Sequence, residues 1–214
     1  MAEGDRPVTQ RTQGRRTQEA IYLAATKAFA SKGYASTSLR SLAAEVGIEV
    51  GSLYRHFTSK EELLFNIIRR ASEEFYAQLI EAAARAEDRP VARLRAVVEA
   101  TARYHAEHRE QSFVGGVELR QLNELHYKHV INQRNMVERL YKTLIEECVQ
   151  IGYFPRGTNV SITSNFVLSV ATSASVWFDP AGPLSVEQVG RMAADFALPD
   201  VPRHTGRFEA VSNT

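Results

Sequence analysis

The residues best suited to chemistry lie between positions 37 and 60, where hydroxyl, phenol, imidazole, guanidinium and ammonium groups alternate with small side chains. The candidate site comprises Thr37, Ser38, Arg40, Val50, Gly51, Ser52, Tyr54, Arg55, His56 and Lys60. Hydroxyl, phenol and ammonium groups can hold phosphates, and a guanidinium can donate two hydrogen bonds to the edge of a guanine. The mixture therefore indicates a surface that binds nucleic acid.

The elements that must position these side chains are two short helices joined by a tight turn. Ser38 is a good N-cap for the first helix. Apolar residues then recur with the spacing of one helical stripe, at Leu39, Leu42, Ala43 and Val46. Gly47 can adopt the left-handed conformation that ends a helix, and Leu53 and Phe57 point inward from the second helix. This punctuation is typical of a helix-turn-helix, whose second helix enters a major groove.

The same stretch resembles the DNA-binding domain of TetR-family repressors. The resemblance runs without a gap from about residue 15 to residue 64. It is carried by Thr37-Ser38, Arg40, Leu42-Ala43, Gly47-Ile48, Gly51-Ser52-Leu53-Tyr54, His56-Phe57 and Ser59-Lys60-Glu61-Glu62-Leu63-Leu64. The resemblance implies that Arg40 and the segment 50–52 reach base edges, while phosphates are held by Thr37, Ser38, Tyr54, His56 and Lys60. In the alternative interpretation Tyr54 and His56 only cover the small core, and Lys60 is a solvated charge.

The distribution of charge agrees with this placement. The 214 residues are 44% hydrophobic and 24% charged, as in a globular protein. The net charge of +1 divides into +4 for residues 1–60, with nine Lys or Arg against five Asp or Glu, and −3 for residues 61–214, with 17 against 20. The basic excess thus lies on the helix-turn-helix. Residues 1–14 are predicted to be a flexible basic arm, which either touches the DNA or has no role.

The rest of the chain predicts helices only, so the expected fold is all-α, with about nine helices in two parts. The predicted boundaries are residues 15–58 for the helix-turn-helix domain, 59–197 for a ligand-binding and dimerisation domain, and 198–214 for a disordered tail. Ser59 is predicted to begin a helix of roughly seven turns that joins the parts, with Glu62 completing a capping box. The lone cysteine, Cys148, and the lack of an apolar signal-peptide core favour the cytoplasm.

The last two long helices are the expected surface of a homodimer. The apolar segment 160–178 is predicted to be a buried helix rather than a membrane span, because it carries eight Ser, Thr or Asn side chains. Small residues such as Ala171, Ser173 and Ala174 would let a partner helix approach closely. The family resemblance implies a four-helix bundle between subunits, whose two-fold symmetry matches a palindromic operator.

The second part is expected to bind a small-molecule effector. The candidate ligand-binding residues mix aromatic walls with polar tips and are Tyr104, His105, His108, Tyr127, Arg134, Trp177 and Phe178. Each of them also fits ordinary core packing. The region therefore predicts a pocket whose walls come from several helices.

This second part also resembles, in Arg134-Asn135 and in the segments 145–157 and 176–190, TetR-type regulators of lipid and steroid breakdown. The resemblance is to the actinobacterial, acyl-CoA-responsive regulators of cholesterol-ring catabolism, and it implies a hydrophobic or acyl-CoA-like effector. The sequence departs from that pattern at Val176 and Asp179, where those regulators carry arginines. A CoA phosphate would therefore need Arg120 or Arg134.

Two other functions are compatible with parts of the sequence. The histidines His105, His108, His126 and His129, with Glu118, could bind a metal in an enzyme, although the chain lacks nucleophile-elbow, phosphate-loop and metal-hydrolase motifs. A constitutive DNA-binding protein without effector would have a filled second part. The favoured prediction is a ligand-responsive repressor that binds DNA as a homodimer, with no membrane partner, no cofactor, no metal and no enzymatic activity.

Overall fold

The computed structural model describes the backbone of residues 8–198 and the side chains of residues 13–198. Its helices are α1 Val8–Lys32, α2 Leu39–Val46, α3 Val50–Tyr54, α4 Lys60–Arg85, α5 Pro90–Glu107, α6 Arg109–Val117, α7 Glu124–Gln150, α8 Val160–Thr172, α9 Ala174–Trp177 and α10 Val186–Ala197, and a 3-10 turn at Glu118–Gln121 follows α6. The all-α prediction is confirmed. The described range holds ten α-helices, because the predicted apolar helix is broken at Ser173 into α8 and the four-residue α9.

The predicted chain ends need two corrections. The arm predicted for residues 1–14 falls outside the described residues up to residue 7, and from Val8 onward it forms the first turns of α1. The tail predicted from residue 198 begins too early, since Leu198 caps α10 and is buried in the second core. The rest of the predicted tail, residues 199–214, lies outside the described range.

The helix-turn-helix has the predicted punctuation. Ser38 Oγ accepts a hydrogen bond from the Ser41 amide at 3.0 Å, and Ser41 Oγ accepts one from the Ser38 amide at 3.2 Å. These two bonds satisfy free amides at the start of α2. Gly47 has a φ of 73°, and the amide of Ile48 donates to the carbonyl of Ala43 at 2.9 Å. The left-handed glycine therefore closes α2 and turns the chain into α3.

The long connecting helix α4 contains 26 residues and begins at its expected cap. Ser59 Oγ accepts from the Glu62 amide at 3.0 Å. The Glu62 carboxylate accepts from the Thr58 amide at 2.6 Å instead of returning to the Ser59 amide, so only half of the predicted capping box is present. Hydrogen bonds from Thr58 lower the pKa of Glu62. The negative charge of Glu62 interacts favourably with the positive, N-terminal end of the helix dipole.

The first core crosses the predicted domain boundary. Val114, Leu119, Leu122 and Val130 of the second part are buried in one apolar cluster with the core residues of α1 to α4. In the second part of the chain, α5 packs against α4, α7, α8, α9 and α10. Gly190 makes the α5 and α10 contact possible, because a Cβ there would lie only 2.9 Å from the Glu99 carbonyl oxygen. A shift of α6 or of the 3-10 turn must therefore disturb the packing of the helix-turn-helix.

The apolar segment of α8 and α9 is largely uncovered in the single chain, so the chain by itself does not supply the cover that the predicted buried helix needs. Only 22% of Val160–Trp177 is buried. Ala171 and Ala174, the residues expected at a partner helix, face inward and are fully buried, whereas Ile162 and Phe166 of α8 are 53% and 69% exposed. By length and composition this segment is the one stretch of the described residues that passes for a membrane span, which is weak evidence for one.

Candidate functional site

The outer face of α2 and α3 presents many of the predicted DNA-binding groups to solvent. Ser38, Arg40, Gly51, Tyr54 and Arg55 are exposed, and Val50, Ser52 and His56 are half-buried. Leu53 and Phe57 are buried beneath them, as the sequence predicted. We call this surface, defined by Ser38, Arg40, Val50, Gly51, Ser52, Tyr54, Arg55 and His56, the reading face. It combines two guanidinium groups with hydroxyl, phenol and imidazole tips on a short helix pair, which is the chemistry of groove and phosphate recognition.

Within the reading face, local contacts hold some of the side chains. Arg55 donates to Ser52 Oγ at 2.8 Å, so the second guanidinium lies against α3. Tyr54 is 52% exposed, and the His56 ring lies 6.3 Å from the Phe57 ring. A Cβ added at Gly51 would meet nothing within 4 Å, so the fold itself does not require glycine there. The open space at Gly51 suits the close approach of a second molecule.

Thr37 is the clearest correction among the predicted phosphate contacts. Its side chain is only 4% exposed, and its hydroxyl donates to the Gly33 carbonyl at 2.9 Å. A phosphate cannot reach a hydroxyl that is buried and already bonded inside the fold. Thr37 therefore stabilises the turn after α1 rather than forming part of the reading face.

Lys60 is also held inside the fold, which the sequence did not predict. Its ammonium donates to the carbonyls of Tyr34 and Thr37 at 2.8 Å each and lies 4.2 Å from the centre of the Tyr34 ring. An ammonium group has three donors, so one is left for another partner. The first role of Lys60 is therefore to clamp the α1–α2 turn to the start of α4, and the alternative of a freely solvated charge is wrong.

Two further contacts tie this turn and α4 to the second part of the chain. The Tyr34 amide donates to Glu118 Oε1 at 2.9 Å, and Glu118 is buried with 8% exposure. On another side, Glu61 Oε1 lies 2.9 Å from His126 Nδ1 and accepts from the Asn123 amide at 2.9 Å. These long-range contacts fix the reading face relative to α6 and α7. The sequence suggests Glu118 only as a metal ligand of the enzyme alternative, because no local pattern reveals a partner 84 residues away.

The second part contains a cavity of about 540 Å³. Its wall is drawn from α4, α5, α6, α7, α8 and α9 and consists of Ile68, Ala71, Ser72, Phe75, Tyr104, His105, Gln111, Ser112, Gly115, Gly116, Gln133, Arg134, Val137, Leu168, Ser169, Thr172, Ser173, Ser175 and Val176. The size lies within the range of small-molecule sites, and the wall combines apolar area with a few polar groups. A filled second part, as expected of a protein without effector, is not what the structure has.

Three of the predicted ligand-binding residues line this cavity, namely Tyr104, His105 and Arg134. The Tyr104 hydroxyl donates to the Ala71 carbonyl at 2.8 Å, and burial raises the Tyr104 pKa. Burial, with a smaller effect of nearby His108, lowers the pKa of His105 to about 4, so its ring is neutral at pH 7. The Ser112 hydroxyl lies 2.9 Å from His105 Nδ1. Tyr104 and His105 are thus fixed, uncharged parts of the wall.

The other four predicted ligand-binding residues lie outside the cavity wall. His108 stacks on the far side of Tyr104 and lines a smaller cleft of about 80 Å³. Tyr127 is exposed on α7, and Phe178 is buried against Ala106 and Val189. Trp177 is 53% exposed and donates to Ser173 Oγ at 3.1 Å. The break at Ser173 explains the correction at Trp177, since it is Ser175 and Val176 of α9 that face the cavity.

Most residues of the cavity wall were missed by sequence reasoning because they are small. Gly115, Gly116 and the Ser and Thr residues of α8 and α9 leave space rather than present a conspicuous group. The glycine pair inside a helical stretch and the serine-rich apolar helix were the available signals.

The histidines of the metal-binding alternative do not converge. His105 on α5 and His108 at the C-terminal cap of α5 lie beside Tyr104, whereas His126 stacks on Phe65 with ring centres 3.8 Å apart. Glu118 is engaged with the Tyr34 amide. Among the described residues no three His, Cys, Asp or Glu side chains form a group that could hold a metal ion.

An exposed helix-turn-helix, packed against a helical domain that contains a cavity, is the architecture of a DNA-binding regulator. The family model of the bacterial regulatory proteins, tetR family, matches residues 21–67, and the tetracyclin repressor-like C-terminal domain model matches residues 87–201. The chain belongs to the TetR family of bacterial transcriptional regulators, which are not enzymes.

Relatives and solved structures agree with this assignment. The HTH-type transcriptional repressor KstR2 of Mycolicibacterium smegmatis is 29% identical over 94% of this chain and 97% of its own length. KstR2 of Rhodococcus jostii is 30% identical over 86% and 90% of the two chains. The solved structure of the TetR-family regulator PfmR of Thermus thermophilus is 31% identical, covers 86% and 99% of the two chains, and has a TM-score of 0.77.

A further solved structure shows the shared fold. AibR in complex with isovaleryl coenzyme A and operator DNA is 22% identical, covers 86% of this chain and 98% of its own, and has a TM-score of 0.76. At this identity the likeness concerns the fold alone.

Proposed function

We propose that the protein is a ligand-responsive repressor that binds a palindromic operator as a homodimer in the cytoplasm and releases it when a small molecule occupies the cavity. The observation that carries the proposal is that an exposed reading face and a cavity of about 540 Å³ share one continuous framework. A constitutive DNA-binding protein has no need of such a cavity. The names of the KstR2 relatives support repression rather than activation.

Dimerisation is supported by an apolar face on α8 and α10. Ile162 and Phe166 lie four residues apart on α8, Met192 and Phe196 lie four apart on α10, and all four side chains are more than half exposed. The two helices are in contact. Exposed apolar residues concentrated on neighbouring helices are typical of a protein interface. A second copy packed on this apolar face would make a four-helix bundle and set two reading faces on successive major grooves, about 34 Å apart.

The coupling between cavity and reading face is proposed to run through α6. Arg134 donates to the Gly115 carbonyl at 2.7 Å on the cavity wall. Three residues later along the chain, Glu118 accepts from the Tyr34 amide, and Lys60 holds the Tyr34 and Thr37 carbonyls on the other side of the same turn. A ligand that moves α6 would therefore move the turn that leads into α2.

This coupling is a population shift rather than a direct competition. DNA and ligand favour different placements of the reading face, and each weakens the binding of the other by the same factor. The factor is set by the difference in ligand affinity between the two conformations.

The relatives suggest the chemical class of the effector. One structural neighbour of the fold is described as a ketosteroid transcriptional regulator, and another holds isovaleryl coenzyme A. We propose an apolar or amphipathic acid, or its coenzyme A thioester, as the effector here. Arg134 is the side chain of the wall that can meet its acidic part.

The experiment is a binding assay with the full-length protein and DNA from the flank of its own gene. Arg40→Ala should lose about 1–3 kcal/mol on the specific site and much less on random DNA, because a guanidinium at a base edge discriminates between sequences. Arg85→Ala is the matched control, since Arg85 is exposed at the far end of α4. Equal loss on both DNAs would assign Arg40 to phosphate contacts, and no specific site at all would refute the proposed function.

A further inference from the structure

The cavity wall carries a single formal charge. Among the described residues that line it, Arg134 alone is a Lys, Arg, Asp or Glu. Its guanidinium donates to the Gly115 carbonyl at 2.7 Å, and no carboxylate in the described part of the chain lies within ion-pair distance of it. The fold thus holds a cation against a largely apolar space without a counter-ion.

This cation is only partly desolvated. Burial lowers the pKa of Arg134, yet the residue as a whole is exposed, so solvent still reaches its side chain. A guanidinium remains protonated at neutral pH, so Arg134 presents a positive charge to the cavity. An anion in the cavity would gain charge-assisted hydrogen bonds from it.

The rest of the wall offers an anion little competition for Arg134. The His105 ring is neutral at pH 7, because its pKa is about 4. The hydroxyl groups of Ser72, Thr172, Ser173 and Ser175 donate their hydrogens to helix carbonyls. Their oxygens can therefore accept hydrogen bonds from a ligand but have no hydrogen left for an anion. The other polar side chains of the wall, among them Gln111 and Gln133, are neutral, so the one charged donor of the described wall is Arg134.

We propose that the cavity binds an amphipathic molecule with a single acidic group, a free carboxylic acid whose anion pairs with Arg134 and whose apolar body lies against Phe75, Val137 and Leu168. This inference rests on the proposed function, in that the cavity is taken as the effector site. The space of about 540 Å³ lies within the range of sites that bind small molecules. The phosphates of a coenzyme A thioester would find one cation on this wall.

The same step links binding to regulation. A carboxylate bound bidentately by Arg134 competes with the Gly115 carbonyl for the guanidinium hydrogens. Losing that bond releases α6 on the side from which Glu118 reaches the Tyr34 amide. The acid would thus bind Arg134, the same residue that holds α6 in place.

The test is calorimetric titration of the full-length protein with two acids, straight-chain lauric acid and ring-bearing abietic acid, each compared with its methyl ester, and with lauroyl-CoA. At least one acid should bind the wild type about 10-fold or more tightly than its ester. Arg134→Met should remove this difference, and Arg134→Lys should retain part of it. Arg120→Met is the matched control, because Arg120 is exposed and lies outside the cavity wall.

Three results would overturn the proposal. They are equal binding of acid and ester to the wild type, the absence of binding by either acid, and tighter binding of lauroyl-CoA than of lauric acid with no effect of Arg134→Met. Thermal melts without ligand show whether Arg134→Met still folds. If Arg134→Met does not fold, the comparison of acid and ester is made with Arg134→Lys. Operator binding measured on the same samples distinguishes the acid site from its regulatory role. Acid binding without release of DNA would support the acid site and refute the regulatory role.

Discussion

Replacing Glu118 by alanine should weaken the connection between the cavity and the reading face. The change removes the carboxylate that accepts from the Tyr34 amide at 2.9 Å in a buried position. A buried amide left without an acceptor costs about 1–3 kcal/mol. For a chain of this size, each kcal/mol corresponds to a shift in Tm of about 2–4 °C. Lys60 still clamps the same turn, so the protein should stay folded.

Three measurements follow from this change. Thermal melts should show the lowered Tm, and hydrogen exchange should show faster exchange of the Tyr34 amide. In the operator-binding assay, Glu118→Ala should reduce the factor by which ligand weakens DNA binding, since α6 no longer holds the turn. Glu118→Gln is the matched control, because its amide oxygen can still accept from Tyr34 and should preserve most of the wild-type behaviour.

The reasoning would be refuted by an unchanged ligand response. One such outcome is that the Tyr34 amide hydrogen of Glu118→Ala exchanges faster while ligand releases DNA from the variant and from the wild type at the same concentrations. In that case the coupling does not pass through the bond between Glu118 and Tyr34. An unchanged exchange rate would instead show that the amide finds another acceptor.

Three other changes test separate parts of the account. Gly51→Ala should raise the free energy of unfolding by about 0.5–1 kcal/mol, because glycine is unfavourable in a helix and the added Cβ meets nothing. The same change should weaken operator binding. Gly157→Ala also has open space, lies outside the reading face and the cavity wall, and should leave operator affinity unchanged. The free energy of unfolding of the wild type should fall by up to about 3 kcal/mol from pH 6.5 to 4, because His105 takes up a proton at higher pH in the unfolded chain than in the folded one. Denaturant titrations of His105→Gln should lack this loss of stability. Equal pH profiles for the two proteins would contradict the prediction. Phe166→Glu should yield monomers in sedimentation experiments. Leu125 is similarly exposed at the start of α7, and Leu125→Glu should leave the dimer intact. Dimers of Phe166→Glu would place the interface elsewhere.

Local sequence signals were sufficient for the helix-turn-helix. Ser38, Gly47 and Ser59 act on neighbouring amides and carbonyls, so their roles as caps follow from the adjacent sequence. The apolar stripes likewise predicted that Leu53 and Phe57 are buried. These features depend on residues at most a few positions apart, where spacing determines geometry.

Long-range geometry was beyond the same reasoning. Thr37 and Lys60 carry groups typical of phosphate contacts, but their bonds depend on how the turn after α1 packs on α4. The sequence predicts Trp177 in the pocket, but the helix breaks at Ser173 and Val176 faces the cavity instead. This break carries no strong local signal. The cavity itself is made of space between six helices, and small residues that leave space look like ordinary packing in a sequence.

The most direct test of the account is the effect of cavity occupation on operator affinity. The molecules carried by the purified native protein are identified by mass spectrometry, removed and added back while fluorescence anisotropy follows binding to labelled operator DNA. The account predicts that a molecule bound in the cavity raises the operator Kd by about 5–150-fold, the usual range of coupling between two sites. An operator Kd that stays the same when the cavity is occupied would contradict it.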